Sequence, residues 1–216
     1  MIGDAGLPAP RPPATSVAFG ARRRPEDATE VRLPNVCTNP TRTGFLDAIA
    51  AMGGHVALED QRTDGPEPTA TLVVRGAAGE LRATEIGGDL AVRSIDELPI
   101  LAVLAACARG TTIVRDADEL KVKESDRIAT TVAMLRAFGV DAEARLDGFA
   151  VEGRPDVPFT PGRVYADGDH RIAMAAAIAG LRATGETVVD DADNVATSYP
   201  GFAAALATLG AHVQNG

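Results

Sequence analysis

Apolar positions recur along the chain at two spacings, helical and alternating, and the succession of the two is itself repeated. GFLDAIAAMG, Gly44 to Gly53, carries apolar residues at helical intervals between two glycines. GFAAALATLG, Gly201 to Gly210, matches it in length, in both glycines, in the Phe and in the Ala spacing. In each copy a β-rich segment begins 22 residues before the closing glycine, VRLPNV at Val31 and VVDDADNV at Val188, and an extended stretch follows, GHVALE or AHVQ. A longer version, TTIVRDADELKVKESDRIATTVAMLRAFGVDAEA, lies between them and closes at Gly139. Each unit predicts strand, turn with helix start, amphipathic helix, glycine stop and strand, the glycine supplying a left-handed cap.

In the second and third units another helix precedes this pattern, DELPILAVLAACARG from Asp96 and DHRIAMAAAIAGLRATG from Asp169. Both are apolar around most of their circumference, so they are expected to be buried on all sides, with the sheets of each unit outside them. The first unit has no such helix. Residues 1–30, rich in Pro, Gly and Arg, read as a disordered leader that cannot supply a buried helical face. The expectation is a piece of something larger, with about two and a half of three units in residues 31–216 and an apolar groove where the missing helix belongs. A natural first unit capped by a partner chain is the alternative.

Composition narrows the picture. The 216 residues suffice for one domain with a substantial core, and only 4% are aromatic, with no Trp, so the core must be built from small, closely approaching surfaces. A net charge of −9 argues against sequence-independent nucleic-acid binding, which needs a broad basic face. Two isolated cysteines, Cys37 and Cys107, make neither a disulfide framework nor a zinc site, and a reducing, cytoplasmic setting is the simpler expectation. The longest apolar runs reach about half of the roughly 20 residues a membrane span requires. No secretory signal, Gly-rich phosphate loop, His pair or nucleophile elbow is present.

Charged residues concentrate at the helix starts. Lys121-Val122-Lys123-Glu124-Ser125-Asp126-Arg127 stands at a strand-to-helix junction, where Ser125 or Asp126 can cap and where Lys123 and Arg127 add to the positive end of the helix. Glu124 among those cations can move a proton. A capping box with solvated ions explains the same residues. Asp167-Gly168-Asp169-His170-Arg171 opens the Ala-rich helix with cations opposing its dipole, a conflict that an anion or nearby carboxylates would offset. Ser94-Ile95-Asp96-Glu97-Leu98-Pro99 begins the other central helix, and the repeat puts Asp96 in the position of Asp169; a plain cap is the alternative. Thr38 to Gly44, the first unit's counterpart, reads as structural turn chemistry.

In order along the chain stand D-E-L-P, K-E-S-D-R about 27 residues later, D-H-R-I-A-M and A-T-S-Y-P-G-F. Residues 31–216 thereby resemble the C-terminal part of the 3-phosphoshikimate 1-carboxyvinyltransferase (EPSP synthase) family, and N-P-T-R-T-G is similar to its glyphosate-tolerant form. The sibling transferase acting on UDP-N-acetylglucosamine lacks K-E-S-D-R. The resemblance implies an α/β (α+β) fold, an inside-out barrel of pseudo-threefold βαβαββ units with buried helices. It implies transfer of the enolpyruvyl group of phosphoenolpyruvate to the 5-hydroxyl of shikimate 3-phosphate without metal or organic cofactor. By motif, Asp96 helps deprotonate that hydroxyl, Lys123 neutralises substrate charge and Glu124 shuttles a proton to and from the methylene carbon. Arg127 and Arg171 hold the phosphate and carboxylate of phosphoenolpyruvate, and His170 supports them. Lys123 and Arg127 are expected exposed at a cleft. Thr197 stands where many members carry a Lys. Motifs of the family's N-terminal domain are not found in these 216 residues, and the expectation is a chain that lacks that domain and has negligible turnover alone. A non-catalytic remnant, or half of a split enzyme that binds a separate N-terminal chain, is the alternative.

Overall fold

The computed structural model describes residues 17–21, 30–75 and 81–215. Three sheets lie outside a group of helices. The first unit contains β2 (Glu30–Cys37), a 3-10 turn at Pro40–Arg42, α1 (Gly44–Ala51), β3 (Val56–Arg62) and β4 (Thr69–Arg75), with strand order β2-β4-β3. The second contains β5 (Glu85–Ile86), α2 (Asp89–Arg93), α3 (Leu98–Ala106), β6 (Gly110–Val114), a 3-10 turn at Asp118–Val122, α4 (Arg127–Ala137), β7 (Ala142–Arg145) and β8 (Gly148–Gly153), with order β5-β6-β8-β7. The third contains β9 (Arg163–Tyr165), α5 (His170–Gly180), β10 (Thr187–Asp190), α6 (Asn194–Ser198), α7 (Phe202–Thr208) and β11 (Ala211–Asn215).

The third sheet takes in a strand from the start of the chain. β1 (Val17–Ala21) runs antiparallel to both β10 and β11, giving the order β11-β1-β10-β9. It occupies the place that β8 holds in the second sheet and β4 in the first. The expectation of a disordered leader is corrected over these five residues: two antiparallel neighbours satisfy the backbone of a short β-prone stretch inside an otherwise Pro-rich segment. Residues 1–16 and 22–29 lie outside the described residues.

The central helices are inside as their composition requires. Seven of the nine residues of α3 are buried, and in α5 Ile172, Ala173, Ala175, Ala176, Ala177 and Ala179 are buried, the alanines letting α3 and α5 pack closely. Each unit's amphipathic helix ends at a glycine with positive φ, Gly53 at 83°, Gly139 at 74° and Gly210 at 93°. Gly153 is needed for a different reason: a Cβ there would run into the carbonyl oxygens of Ala105 and Ala108 at the end of α3.

Among the described residues the first unit has no central helix. An apolar groove of about 420 Å³ lies in its place, between Leu33, Phe45, Ile49 and Leu72 of the first unit and Ile100 and Leu104 of α3. This is the opening expected from the repeat.

Candidate active site

The starts of α3, α4 and α5 come together at one end of the helices. Asp126 caps α4, its Oδ1 accepting from the backbone of Ile128 and Ala129, both at 3.1 Å. Ser125 is thereby released from capping, and its hydroxyl turns inward to donate to Asp169 Oδ2 at 3.1 Å. Asp169 caps α5 by accepting from Arg171 N at 2.9 Å and Ile172 N at 3.4 Å. Asp96 differs from its expected counterpart: α3 starts only at Leu98 and Glu97 makes no side-chain cap bond, so Asp96 precedes the helix and directs its carboxylate at arginines.

All six residues singled out from the sequence meet there. Arg127 is the hub: Nη1 donates to Asp96 Oδ1 at 3.1 Å, Nη2 to Glu124 Oε2, and Nε to Asp169 Oδ2 at 2.7 Å. Arg171 Nη2 lies 3.2 Å from Asp96 Oδ2, while its Nη1 donates to the Asp96 carbonyl at 3.0 Å and sits 3.6 Å from Glu97. Lys123 pairs with Glu119 and lies 3.8 Å from Asp96. His170 Nδ1 is 3.9 Å from Glu124 Oε1. The conflict of cations at the start of α5 is thus offset by the protein's own carboxylates.

Exposure corrects one expectation. Lys123 keeps 22% of its side chain accessible and Asp96 41%, but Arg127 keeps 1% and Asp169 none. Arg127 is a buried, fully engaged guanidinium, because the side chain at the first position of α4 points back under Glu124 into the gap between helix starts. Burial favours the neutral acid at Asp169, yet the hydrogen bonds and charge of Arg127, with the α5 and Ser125 donors, outweigh it and hold its pKa below the ordinary range. Burial likewise opposes the charge on Arg127, and Asp169 followed by Glu124 and Asp96 raises its pKa nonetheless. At Glu97 burial prevails over nearby Arg171 and the pKa is raised.

The sequence reading named Asp169 only as a cap and Ser125 only as an alternative cap; their meeting with Arg127 joins residues 42 and 44 positions apart, which no local pattern reveals. Thr197 lies in α6 on the surface. The Thr38–Gly44 segment is a turn, with Asn39 accepting from Thr41 N at 3.0 Å. Beside the charged rim opens a cavity of about 190 Å³, lined by Asp96, Glu97, Pro99, Arg171, Met174 and Phe202 among others.

Three outer sheets around buried helices, with charged helix starts gathered on one rim, define an α/β domain of the inside-out class. A family model described as EPSP synthase (3-phosphoshikimate 1-carboxyvinyltransferase) matches residues 26–206, and the chain belongs to that family. Proteins named 3-phosphoshikimate 1-carboxyvinyltransferase from Herpetosiphon aurantiacus and Geobacter sulfurreducens are each 49% identical to it, over 80% and 82% of this chain and 39% and 41% of their own. The chain therefore spans about two fifths of the length of these curated relatives. The EPSP synthase structure from Acinetobacter baumannii matches with a TM-score of 0.80 at 35% identity, covering 87% of this chain and 44% of that one. The enolpyruvyl transferase NikO from Streptomyces tendae, at 24% identity and TM-score 0.64, shares the fold.

Proposed function

We propose that this domain forms one wall of an active site that transfers the enolpyruvyl group of phosphoenolpyruvate to the 5-hydroxyl of shikimate 3-phosphate, releasing phosphate, in the cytoplasmic route to chorismate and aromatic amino acids. The observation that carries the reading is the single ionic network joining Asp96, Lys123, Glu124, Arg127 and Arg171, with His170 beside Glu124 at 3.9 Å. In this mechanism Asp96, more exposed than its cationic partners, accepts the hydroxyl proton as the oxygen attacks C2 of phosphoenolpyruvate. Glu124, its side chain 48% exposed, relays a proton from water to the methylene carbon, giving a tetrahedral intermediate. Glu124 then takes a proton back from the methyl group as the bond to phosphate breaks. Lys123 and Arg171 are the cations with accessible surface for substrate oxygens, the planar fork of Arg171 suiting a carboxylate or phosphate. Arg127 serves the same anions from below, and His170 backs Glu124. The N-P-T-R-T-G string and Thr197 support a place in the glyphosate-tolerant branch.

Charge accounting sets what this wall does by itself. Five carboxylates, Asp96, Glu97, Glu119, Glu124 and Asp169, face three cations, Lys123, Arg127 and Arg171, so with neutral histidine the network is net negative by two. Two polyanionic substrates need further cations on the facing wall, which we assign to the part of the relatives' length that this chain does not span. The same charge balance favours a second reading, a non-catalytic domain that binds a separate N-terminal partner. Phosphate release from the two substrates, measured with this chain alone and with the N-terminal half of a relative added, separates them. Release only in the mixture supports the transferase reading; none in either arrangement overturns it in favour of the second.

A further inference from the structure

We propose that Asp169, with Ser125, is the positioning residue of the rim: a buried carboxylate that fixes the plane of Arg127 and through it the relative placement of Asp96 and Glu124. The inference rests on the reading of these two carboxylates as the base and the proton shuttle. Asp169 is completely buried and Ser125 nearly so, at 7% exposure. Every oxygen of the Asp169 carboxylate is engaged. Oδ1 accepts the backbone N–H groups of Arg171 and Ile172 and lies 3.4 Å from Arg127 Nη2, while Oδ2 accepts Arg127 Nε at 2.7 Å and the Ser125 hydroxyl at 3.1 Å.

The geometry gives this contact a consequence beyond cohesion. A guanidinium is planar, so gripping it along its Nε and Nη2 edge fixes the directions of the N–H bonds on its far side. Those bonds run to Asp96 and to Glu124, which come from separate segments, one before α3 and one before α4. Both carboxylates are partly exposed, at 41% and 48%; Asp96 also meets Arg171 and Lys123, but the Arg127 fork is the buried group that holds both. Because Asp169 is anchored by the start of α5, the rim's spacing is referred to the packed central helix. Ser125 fills the remaining lone pair of Oδ2 and prevents the carboxylate from turning away.

The test uses the full chain labelled with 15N-arginine, comparing it with Asp169→Asn and Ser125→Ala. Asparagine caps helices as well as aspartate, so α5 keeps its start while the charge and the Nε acceptor geometry change; retained circular dichroism verifies the fold. The parent chain is expected to show an Arg127 Nε–H resonance protected from water exchange, with separate Nη protons reporting a fixed plane. Asp169→Asn collapses that signature and Ser125→Ala speeds its exchange, with Lys123 backbone shifts unmoved. Unchanged Arg127 side-chain signals in folded Asp169→Asn overturn the proposal. Titration with phosphoenolpyruvate is read separately: a rise of about ten-fold in Kd for Asp169→Asn supports both levels, equivalent to ~1.4 kcal/mol. An Arg127 signature that collapses while phosphoenolpyruvate binds equally to both proteins supports the positioning role and counts against the substrate reading.

Discussion

Arg127→Ala offers the sharpest trial of the energetics. The substitution removes the guanidinium paired with Asp169, whose side chain has no exposed surface, and so leaves a carboxylate buried with its helix-cap and Ser125 donors and, among the described residues, no salt-bridge partner. Breaking a buried ion pair from one side costs about 3–5 kcal/mol. In a domain of this size each kcal/mol moves the midpoint by about 2–4 °C, giving a fall of roughly 6–20 °C. Lys123→Ala, by contrast, opens a partly exposed pair worth about 0–1 kcal/mol, so its midpoint falls by no more than roughly 4 °C. Arg127→Met combined with Asp169→Asn removes both charges while keeping a cap and recovers most of the lost stability. Thermal melts followed by circular dichroism measure all four proteins. The pH dependence has a definite sign: Asp169 has a folded pKa below its unfolded value, so its contribution is full above about pH 4 and is lost on acidification through the folded pKa. The gap between parent and Arg127→Ala therefore narrows toward low pH. An Arg127→Ala midpoint within about two degrees of the parent, or a double variant no better than the single one, refutes the reasoning.

Other consequences follow from the packing and the groove. Gly153→Ala forces a methyl group against the carbonyls of Ala105 and Ala108 and lowers stability by about 1–3 kcal/mol, measured by urea unfolding; an unchanged midpoint contradicts the close approach. Leu104→Lys, at the wall of the apolar groove, reduces the fluorescence of a bound hydrophobic dye, and undiminished emission shows that the groove is not where dye binds. Iodoacetamide at neutral pH modifies exposed Cys37 well before Cys107, whose thiol is pushed up by burial, which nearby Arg182 only partly opposes; equal rates count against that burial.

Much of the architecture was legible because it rests on local pattern. The glycine stops at Gly53, Gly139 and Gly210 and the all-round apolar helices α3 and α5 each follow from spacing within a dozen or so residues, and the lack of a first central helix, which holds among the described residues, follows from comparing the repeats. The edges were less legible: β5 has two residues and β9 three, too few for any periodicity, and α2 is a five-residue helix that packs against α1. β1 was hidden because its pairing partners are some 170–200 residues away and its flanks are Pro- and Arg-rich. At the rim the repeat correctly suggested that helix starts share one end, but it overstated the likeness of Asp96 and Asp169, whose distances from their helices differ by one residue, enough to make Asp169 the cap of α5 and leave Asp96 outside α3. The burial of Arg127 depended on two carboxylates, Asp96 and Asp169, arriving from other segments to join Glu124 of its own, and only the fold brings those together.

The central claim is that the starts of α3, α4 and α5 make one surface for small anions. Backbone chemical-shift mapping of the chain during titration with phosphoenolpyruvate addresses it most directly. The account predicts shifts confined to residues 95–98, 122–127 and 169–172, abolished together by Lys123→Ala with Arg171→Ala. Shifts that centre on another face, or that persist in the double variant, contradict it.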